Sequence, residues 1–314
     1  MNCQEERTLF TVVIPLYNKA KYIYRCLDSV ANQKYHASEV IVINDGSTDD
    51  GPNLVLRYSK LPIRLIQQNN AGVSAARNAG IAAAQHKWIA FLDADDEYLP
   101  DFLDRVAKAI QLRPEAGLIY GWSYFSDGTT KTFPSSTDVM PKRVEDYFKY
   151  VVSSKGKEVN TSCVAVRRDI FVQAGNFPLG VAVGEDSDMW MRAAWVTTFV
   201  VIPTWLSIYH TDASGSGWER QVLCDAYWLN TYRDWKQSYR IPVRLMATTD
   251  LYVQHYYLSR ALYLAVRDKR ANALNVLLRQ VNYFQAPGLF AAKVFFYTLL
   301  PIGKIRMILG RKKT

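Results

Sequence analysis

The sequence predicts an α/β protein with a mostly parallel sheet flanked by helices and followed by a helical C-terminal extension. Three observations support this fold class. Over the first hundred residues, short apolar runs rich in β-branched residues alternate with segments of helical periodicity. Polar or turn-forming residues follow these runs directly. Hydrophobic residues make up 49% and charged residues 21% of the 314 positions, which is ordinary for a globular protein of about two domains.

The elements of the first hundred residues follow from this alternation. Strands are predicted at residues 9–16, 40–43, 63–66 and 88–92, because each is a short apolar run bounded by polar residues. Helices are predicted at 22–30, from apolar residues at helical spacing, and at 73–85, which is rich in Ala. A further short helix is predicted to open at Gly51-Pro52, since Pro suits the first turn of a helix.

Beyond residue 100 the predicted elements are mixed. A helix is predicted at 100–112, a hairpin at 118–125 and 131–133, a helix at 144–152 and a strand at 159–166. A helix with an acidic first turn is predicted at 184–195, followed by strands at 199–202 and 205–209. From about Trp218 onward the pattern is helical. The sequence therefore predicts a sheet domain at residues 1–217 and a helical region at residues 218–314.

The most informative segment is the acidic turn after the apolar run 88–92. Asp93, Asp95 and Asp96 place three carboxylates within four positions. Carboxylates this close repel one another unless a cation compensates them, and Mg²⁺ or Mn²⁺ is the usual ion for carboxylate ligands. Ligands of open α/β sheets bind at the carboxyl ends of strands, where this turn would lie. The alternative is a solvated acidic turn ahead of the next helix.

Cysteine usage and the lack of targeting signals favour a cytoplasmic protein. The four cysteines form no CxxC pair and no metal-ligand spacing, so they are interpreted as reduced thiols. The N-terminus is polar and lacks the apolar core of a signal peptide. No run of about 18 uncharged apolar residues is present, so the sequence predicts no certain membrane span.

The net charge of +9 is unevenly distributed. Residues 240–314 carry 13 Lys and Arg residues against two acids, whereas residues 1–239 carry 25 against 27. Within residues 288–313, Lys and Arg punctuate and end an aromatic, apolar band. Amphipathic segments of this kind lie in membrane interfaces, so the sequence predicts peripheral contact with an anionic membrane. The alternative is a C-terminal helix docked on the protein core with a solvated basic tip.

Five short motifs stand in order along residues 8–212. They are Val12-Val-Ile-Pro15-Leu-Tyr17-Asn18, Ile41-Val-Ile-Asn-Asp45-Gly-Ser47-Thr-Asp49-Asp50, Asn70-Ala-Gly72-Val-Ser-Ala-Ala-Arg77-Asn78-Ala-Gly80, Phe91-Leu-Asp93-Ala-Asp95-Asp96 and Gly184-Glu185-Asp186-Ser-Asp188-Met-Trp190-Met-Arg192. Their order and spacing resemble those of the family 2 glycosyltransferases, which are inverting nucleotide-sugar enzymes with the GT-A fold.

The resemblance implies a nucleotide site at the end of the first strand. Pro15, Tyr17 and Asn18 would hold the base together with Asp45, which would accept a hydrogen bond from a uracil ring. Arg77 would reach a phosphate or the base. From the residues alone, Asp45 could belong to a plain turn and Arg77 could be a surface residue of its helix.

The resemblance also implies a divalent metal ion, Mn²⁺ or Mg²⁺. Asp93 and Asp95 match the Asp-x-Asp motif of the family; Asp95 would bind the ion directly, and Asp93 would contact the ribose or the ion's water shell. Asp96 would either support these two residues or contribute to the metal site itself. His210 would bind the ion or the diphosphate, although Tyr209 stands where many relatives carry Arg. The alternative for His210 is a structural role.

Inverting transfer requires one base that takes the proton of the acceptor hydroxyl. The resemblance assigns this base to Asp186, with Glu185 orienting it or contacting the acceptor. Arg192 follows Asp188 by four residues, which is good spacing for an ion pair within a helix. The alternative for Glu185 and Asp186 is simple charge at a helix N-terminus.

Together these residues and the resemblance imply a metal-dependent inverting glycosyltransferase that moves a sugar from a nucleotide-diphosphate donor to an acceptor hydroxyl. A UDP-sugar is the first choice of donor, and a thymine or guanine carrier is the alternative. The basic tail indicates a lipid-linked oligosaccharide acceptor in surface polysaccharide synthesis, at the inner face of the cell membrane. A nucleotidyltransferase is a second hypothesis, but residues 12–18 lack the Gly-rich basic loop that it needs. A nucleic-acid-binding protein is a third, but the basic residues of the tail are interleaved with apolar ones.

Overall fold

The structure is a computed structural model that describes residues 7–127, 139–153, 157–211, 226–267 and 269–282. These residues form two compact units. The first contains residues 7–127, 139–145 and 158–211, and the second contains residues 146–153, 157, 226–267 and 269–282.

Strands lie in the first unit and helices in both. The strands are β1 (Phe10–Leu16), β2 (Glu39–Asp45), β3 (Ile63–Gln68), β4 (Trp88–Phe91), β5 (Glu97–Tyr98), β6 (Ala116–Ser126), β7 (Lys142–Val144), β8 (Val164–Arg167) and β9 (Thr198–His210). The helices are α1 (Ile23–Ala31), α2 (Gly51–Arg57), α3 (Val73–Ala83), α4 (Phe102–Leu112), α5 (Tyr147–Ser153), α6 (Asp169–Ala174), α7 (Glu185–Val196), α8 (Trp228–Gln237), α9 (Val243–Val266) and α10 (Arg270–Arg279). Helices α5, α8, α9 and α10 belong to the second unit.

The strands form one sheet in the order β3-β2-β1-β4-β8-β6-β9-β5, with β7 paired to β9. Strand β1 is parallel to β2 and β4, and β2 is parallel to β3. Strand β8 runs antiparallel to both β4 and β6, whereas β6 and β9 are parallel. The sheet is therefore parallel over its first four strands and mixed beyond them, and β1, β2 and β4 end at the same edge.

The sheet has a core on both faces, which explains why its strands are unbroken apolar runs in the sequence. Val40 and Val42 of β2 belong to the larger cluster, which also contains residues of α1 and α4. Ile41 and Ile43 of the same strand pack with Ala76 of α3. Successive side chains of a strand point to opposite faces, so the two sets cover the two faces.

Helix α3 packs closely on β1 at Gly80. A Cβ atom at this position would lie 2.3 Å from Val13 Cγ1, closer than such atoms approach in proteins. The missing side chain therefore allows α3 to lie directly against the strand. One turn earlier, the same packing holds Arg77 beside the turn that follows β4.

Most predicted elements of the first unit are present, and two differ in kind. The strands predicted at 199–202 and 205–209 are one strand, β9. Pro203 lies where the pairing of β9 with β6 shifts register, so its missing N–H removes no regular hydrogen bond of the ladder and the strand continues through it. The strand predicted at 159–166 begins instead with a 3₁₀ turn, Thr161–Cys163, because Asn160 Oδ1 accepts from Ser162 N–H at 2.9 Å.

Some predicted boundaries also change. The helix predicted at 144–152 starts at Tyr147, since Val144 ends β7. Strands β5 and β7 and helix α6 were not predicted, because each is too short to show a period. The second hairpin arm at 131–133 and the tail at 288–313 lie outside the described residues.

The second unit is helical and held together by aromatic and charged contacts. The Tyr252 ring of α9 lies 5.6 Å from the Phe148 ring of α5 and 5.4 Å from the Trp228 ring of α8, measured between centroids. Lys236 of α8 donates to both oxygens of Asp250 of α9, at 2.7 and 2.8 Å. Across the described part of the chain, no helix combines the length and apolar character needed to cross a membrane.

Candidate active site

Three loops meet at the edge of the sheet where β1, β2 and β4 end. They are residues 17–19, 46–49 and 93–96. Their strands are parallel neighbours, so the loops lie side by side. Residues of α3, α7 and the end of β9 complete the site, and all of them belong to the first unit.

The loops after β1 and β2 are bonded to each other through Asn18. Its Oδ1 accepts from Thr48 N–H at 2.8 Å, and its own N–H donates to Ser47 Oγ at 3.1 Å. Asn18 has φ of +51°, a left-handed conformation that Asn adopts more readily than most residues. Beside this contact, Pro15 lies within β1 and Tyr17 is 48% exposed. The arrangement presents an aromatic ring at the end of the first strand.

The carboxylate of Asp45 is buried at the end of β2 and holds the loop that enters α3. Its Oδ1 accepts from Gln68 Nε2 at 2.7 Å and from Ala71 N–H at 2.9 Å, and its Oδ2 accepts from Gly72 N–H at 2.8 Å. Gly72 has φ of +89°, which glycine adopts without strain. Asp45 Oδ2 accepts one bond here, and a carboxylate oxygen has room for a second.

Arg77 of α3 is a buried bridge rather than a surface residue. Its Nη1 donates to Glu185 Oε1 and its Nη2 donates to Asp93 Oδ1, both at 2.8 Å. Its Cζ lies 5.4 Å from the centroid of the Phe177 ring. Burial alone would lower the pKa of Arg77, but the charges of Asp93 and Glu185 outweigh it and hold the pKa above its ordinary value. Arg77 therefore joins the turn after β4 to the start of α7.

Asp93 and Asp95 each have a cation on one carboxylate oxygen. Asp93 Oδ1 is paired with Arg77, and Asp95 Oδ2 lies 2.5 Å from Lys19 Nζ. Within the ranges that the structure describes, Asp93 Oδ2 and Asp95 Oδ1 accept no hydrogen bond. Two carboxylate oxygens in one turn are suitable ligands for a hard divalent ion. The residues of the turn therefore fit Mg²⁺ or Mn²⁺.

Asp96 is a structural residue of the same turn. Its Oδ2 accepts from Ser162 Oγ at 2.5 Å, and its Oδ1 accepts from the backbone N–H of His210 at 3.0 Å. Burial, followed by the charge of Asp93, raises the pKa of Asp96 well above its ordinary value. Since both oxygens are engaged, Asp96 fixes β9 and the 3₁₀ turn around the acidic loop.

The ring of His210 is buried and contacts Glu97. Its Nε2 lies 2.7 Å from Glu97 Oε1, and the same oxygen lies 3.3 Å from Arg25 Nε. No three His, Cys, Asp or Glu side chains converge to hold a metal ion among the residues that the structure describes. The structure thus brings Asp93 and Asp95 together in one turn, but it does not gather them with His210 into a formed metal centre.

Helix α7 begins with the two predicted acids. Gly184, at φ of +85°, ends the preceding loop, and Glu185 is buried against Arg77. Burial, followed by the charge of Asp186, raises the pKa of Glu185. Asp186 is more accessible, and its Oδ1 accepts from Ser187 N–H at 2.7 Å. Among the described residues, no Lys, Arg or His lies within ion-pair distance of Asp186.

The predicted ion pair between Asp188 and Arg192 is present and fixes the loop before α7. Arg192 donates from Nε and Nη2 to Asp188 Oδ2, at 2.8 and 2.7 Å. It also donates to the carbonyl oxygens of Ala174 and Asn176, the latter at 2.8 Å. Both side chains are buried, so this pair supports the start of α7 from within.

Sequence reasoning missed four residues that shape the site: Lys19, Glu97, Ser162 and Phe177. Ser162 had a signal, since it is a polar residue inside an apolar run. Lys19 also had one, because it directly follows the motif that ends at Asn18. Glu97 and Phe177 gave none, because their roles depend on partners that are distant in sequence.

The comparisons with known proteins show the family. The sequence profile of glycosyl transferase family 2 matches residues 11–174. The chain is 39% identical over 102 residues to glycosyltransferase GlyA of Streptococcus pneumoniae serotype 4, a match covering 32% of this chain and 15% of GlyA. It is 34% identical over 137 residues to chondroitin synthase of Pasteurella multocida, covering 38% of this chain and 14% of that protein. The chain thus spans a small part of the length of these relatives.

The fold is also shared with a solved structure. The crystal structure of S. aureus TarS residues 1–349 in complex with UDP-GlcNAc matches with a TM-score of 0.55 and 22% identity, over 67% of this chain and 60% of that one. The sheet order and this match show a GT-A type fold. The chain belongs to glycosyl transferase family 2.

Proposed function

We propose that the protein is an inverting glycosyltransferase that moves a sugar from a UDP-sugar to an acceptor hydroxyl. The observation that carries this proposal is the buried Arg77 bridge. Its guanidinium contacts both Asp93, on the proposed donor side, and Glu185, on the proposed acceptor side. Asp186 follows Glu185 directly and therefore lies at the same edge of the sheet as Asp93. The UDP-GlcNAc bound to TarS and the family membership support a UDP-sugar donor.

Asp186 is the proposed base. It takes the proton of the acceptor hydroxyl while that oxygen bonds to the anomeric carbon and the bond from this carbon to the diphosphate breaks. Attack opposite the leaving group inverts the configuration. Asp186 suits this role because it is partly exposed and, among the described residues, no cation lies within ion-pair distance of it. Glu185, held by Arg77, orients the start of α7 beneath it.

The proposed nucleotide site lies on the loops after β1 and β2. Tyr17 stacks on the uracil, with Pro15 and Asn18 shaping the pocket floor. Asp45 Oδ2 accepts a hydrogen bond from the N–H of the uracil ring. This oxygen already accepts one bond from Gly72 N–H and has room for a second. Arg77 acts indirectly, by holding Asp93 toward the ribose. The aspartate and the arginine thus keep their internal contacts while the nucleotide binds.

The proposed metal ligands are Asp95 and Asp93, with His210 as a third, and the ion is Mn²⁺ or Mg²⁺. When bound, the ion supplies positive charge to the departing diphosphate. The free oxygens of the two aspartates fit this role. His210 is proposed from the family resemblance; its backbone N–H donates to Asp96, and its ring contacts Glu97.

The proposed acceptor is a sugar or lipid-linked oligosaccharide in surface polysaccharide synthesis. The polysaccharide named in chondroitin synthase supports a role in polysaccharide synthesis. The net charge of +11 over residues 240–314 supports an acceptor attached to a membrane lipid. We place the transferase domain at residues 1–217 and a membrane-associating region at residues 218–314, on the cytoplasmic face of the membrane. The nucleotidyltransferase and nucleic-acid hypotheses are not retained, since the family profile covers half of the chain.

Nucleotide binding tests the donor site. UDP, GDP, dTDP and CDP are titrated into the protein with Mn²⁺ and with EDTA, and the melting temperature is followed. A ligand of the native state raises the melting temperature by mass action. We expect UDP with Mn²⁺ to give the largest shift and EDTA to remove most of it. No shift with any nucleotide would overturn the donor assignment.

Asp186→Asn tests the base. Because the amide cannot take the proton, we expect sugar transfer to fall by about 10²- to 10⁴-fold while UDP affinity stays within about twofold. Asp169→Asn is the control, since Asp169 lies on α6 with its side chain 51% exposed. Unchanged transfer in the Asp186 variant would refute the assignment.

A further inference from the structure

Lys19 connects the loop after β1 to the acidic turn. Its Nζ lies 2.5 Å from Asp95 Oδ2, and the two residues are 76 positions apart in the sequence. The side chains are 24% and 11% exposed, respectively. Lys19 therefore forms an ion pair with one of the two carboxylates of the Asp-x-Asp pair.

The backbone of Lys19 is fixed. Its carbonyl oxygen accepts from the N–H groups of Tyr22 and Ile23, at 2.9 and 3.0 Å. The next N–H, that of Ala20, donates to Asp49 Oδ2 at 2.8 Å. Only the four-carbon side chain is therefore able to change its partner, and it is anchored at the edge where the donor would bind.

Arg77 and Lys19, which pair with Asp93 and Asp95, differ in how easily a metal ion displaces them from the carboxylate. Arg77 is 4% exposed and is held by two ion pairs, to Asp93 and Glu185. Lys19 is six times more exposed, on a flexible side chain. An ion that binds Asp95 competes with Lys19 for that carboxylate, whereas Arg77 stays in place.

We propose that Lys19 couples the binding of the metal ion to the binding of the nucleotide. Without ligands, its ammonium neutralises Asp95, so an ion arriving alone must displace it at a cost. The diphosphate of the donor gives the displaced ammonium a new anionic partner. Each ligand then favours the other by the same factor, as linkage requires. This inference rests on the proposed nucleotide-sugar site.

The test is Lys19→Met, which removes the charge and keeps an unbranched side chain one atom shorter. Mn²⁺ affinity without nucleotide is measured by the EPR signal of the free ion, and UDP affinity at saturating Mn²⁺ by calorimetry. We expect Mn²⁺ alone to bind roughly twofold to fivefold more tightly and UDP to bind more weakly by a similar factor, the scale of a partly exposed ion pair. Loss of fold or of loop structure would instead weaken both.

Lys21→Met is the matched control, because Lys21 is exposed and, like Lys19, has its Nζ over the Tyr22 ring, at 5.4 Å against 5.7 Å for Lys19. Lys21→Met should leave the affinities for Mn²⁺ and for UDP unchanged. Wild-type protein that binds no UDP in the presence of Mn²⁺ would overturn the proposed function. If the wild-type protein binds UDP, two results for Lys19→Met would overturn the coupling role alone. One is an unchanged affinity for Mn²⁺ or for UDP, and the other is weaker binding of both ligands.

Discussion

Single residues in this site serve two functions at once, and Arg77 is the clearest case. Its guanidinium neutralises two carboxylates that come from distant parts of the chain, and it covers the face of the Phe177 ring. Asn78, its neighbour, donates to and accepts from the backbone of Phe177, at 2.9 and 3.0 Å. Residues of α3 therefore hold the start of α7, where Asp186 lies.

Arg77→Met should destabilise the protein and disrupt the site. Removing one partner of a buried ion pair leaves uncompensated charge and costs about 3–5 kcal/mol. Arg77→Lys keeps the charge but cannot form both bonds with a planar fork, so we expect an intermediate loss of stability. Urea unfolding measures both, and Arg64→Met, at an exposed position of β3, is the control. Equal stability of Arg77→Met and wild type would contradict the bridge.

At the scale of elements, the site depends on how closely α3 approaches the sheet. Gly80 permits that approach, and Arg77 projects from the same helix toward Asp93. The end of β9 is likewise tied to the acidic turn by the bond from His210 N–H to Asp96. Helix and strand positions, rather than loop sequence alone, determine where the carboxylates lie.

Gly80→Ala should lower stability by overpacking α3 against β1, by about 1–3 kcal/mol. The new methyl group would meet Val13, so Val13→Ala in the same protein should recover part of the loss. A double-mutant cycle from thermal unfolding measures this coupling. Strictly additive effects of the two substitutions would show that the helix moves away instead.

His255 of α9 should make the stability of the second unit depend on pH. Burial lowers the pKa of His255 below its ordinary value of 6.5. As the pH falls through about 6.5, the unfolded chain takes up the proton first, so the unfolding free energy decreases toward lower pH. His255→Gln should reduce the loss of melting temperature between pH 7.5 and 5.5, by comparison with His36→Gln at an exposed position. The same loss in all three proteins would refute this role.

Much of this arrangement could be predicted from the sequence. The apolar runs predict the parallel strands, and the polar residues after two of these runs predict where β2 and β4 end. The burial of Arg77 could not be predicted, because its partners Asp93 and Glu185 are brought together only by the fold. The same holds for Glu97, whose contact with His210 joins positions 113 residues apart.

At the scale of the whole molecule, charge separates the two ends of the chain. Residues 1–239 carry a net charge of −2, and residues 240–314 carry +11. A local cluster of carboxylates favours a metal ion, and a basic region favours an anionic surface. The proposed membrane contact and the proposed metal site thus draw on opposite charges in separate parts of the sequence.

Reversing the charge of Arg311, Lys312 and Lys313 to Glu should weaken binding of the full chain to anionic vesicles. Each basic residue near such a surface contributes about 1 kcal/mol. Flotation with phosphatidylserine-containing vesicles, against neutral ones, measures the change. The control reverses Arg57, Lys60 and Lys108, which are 67%, 63% and 66% exposed and alter the net charge equally. Equal losses in both variants would argue against a specific tail contact.

Helix α5 lies in the middle of the sequence but belongs to the second unit, where Phe148 contacts Tyr252. On the ribosome, α5 is made about a hundred residues before α9 is complete. At about 5–20 residues per second, this is a delay of roughly 5–20 s. During that time α5 lacks its native partner on α9. Slower translation between these two helices would lengthen the period in which a chaperone or protease has access to it.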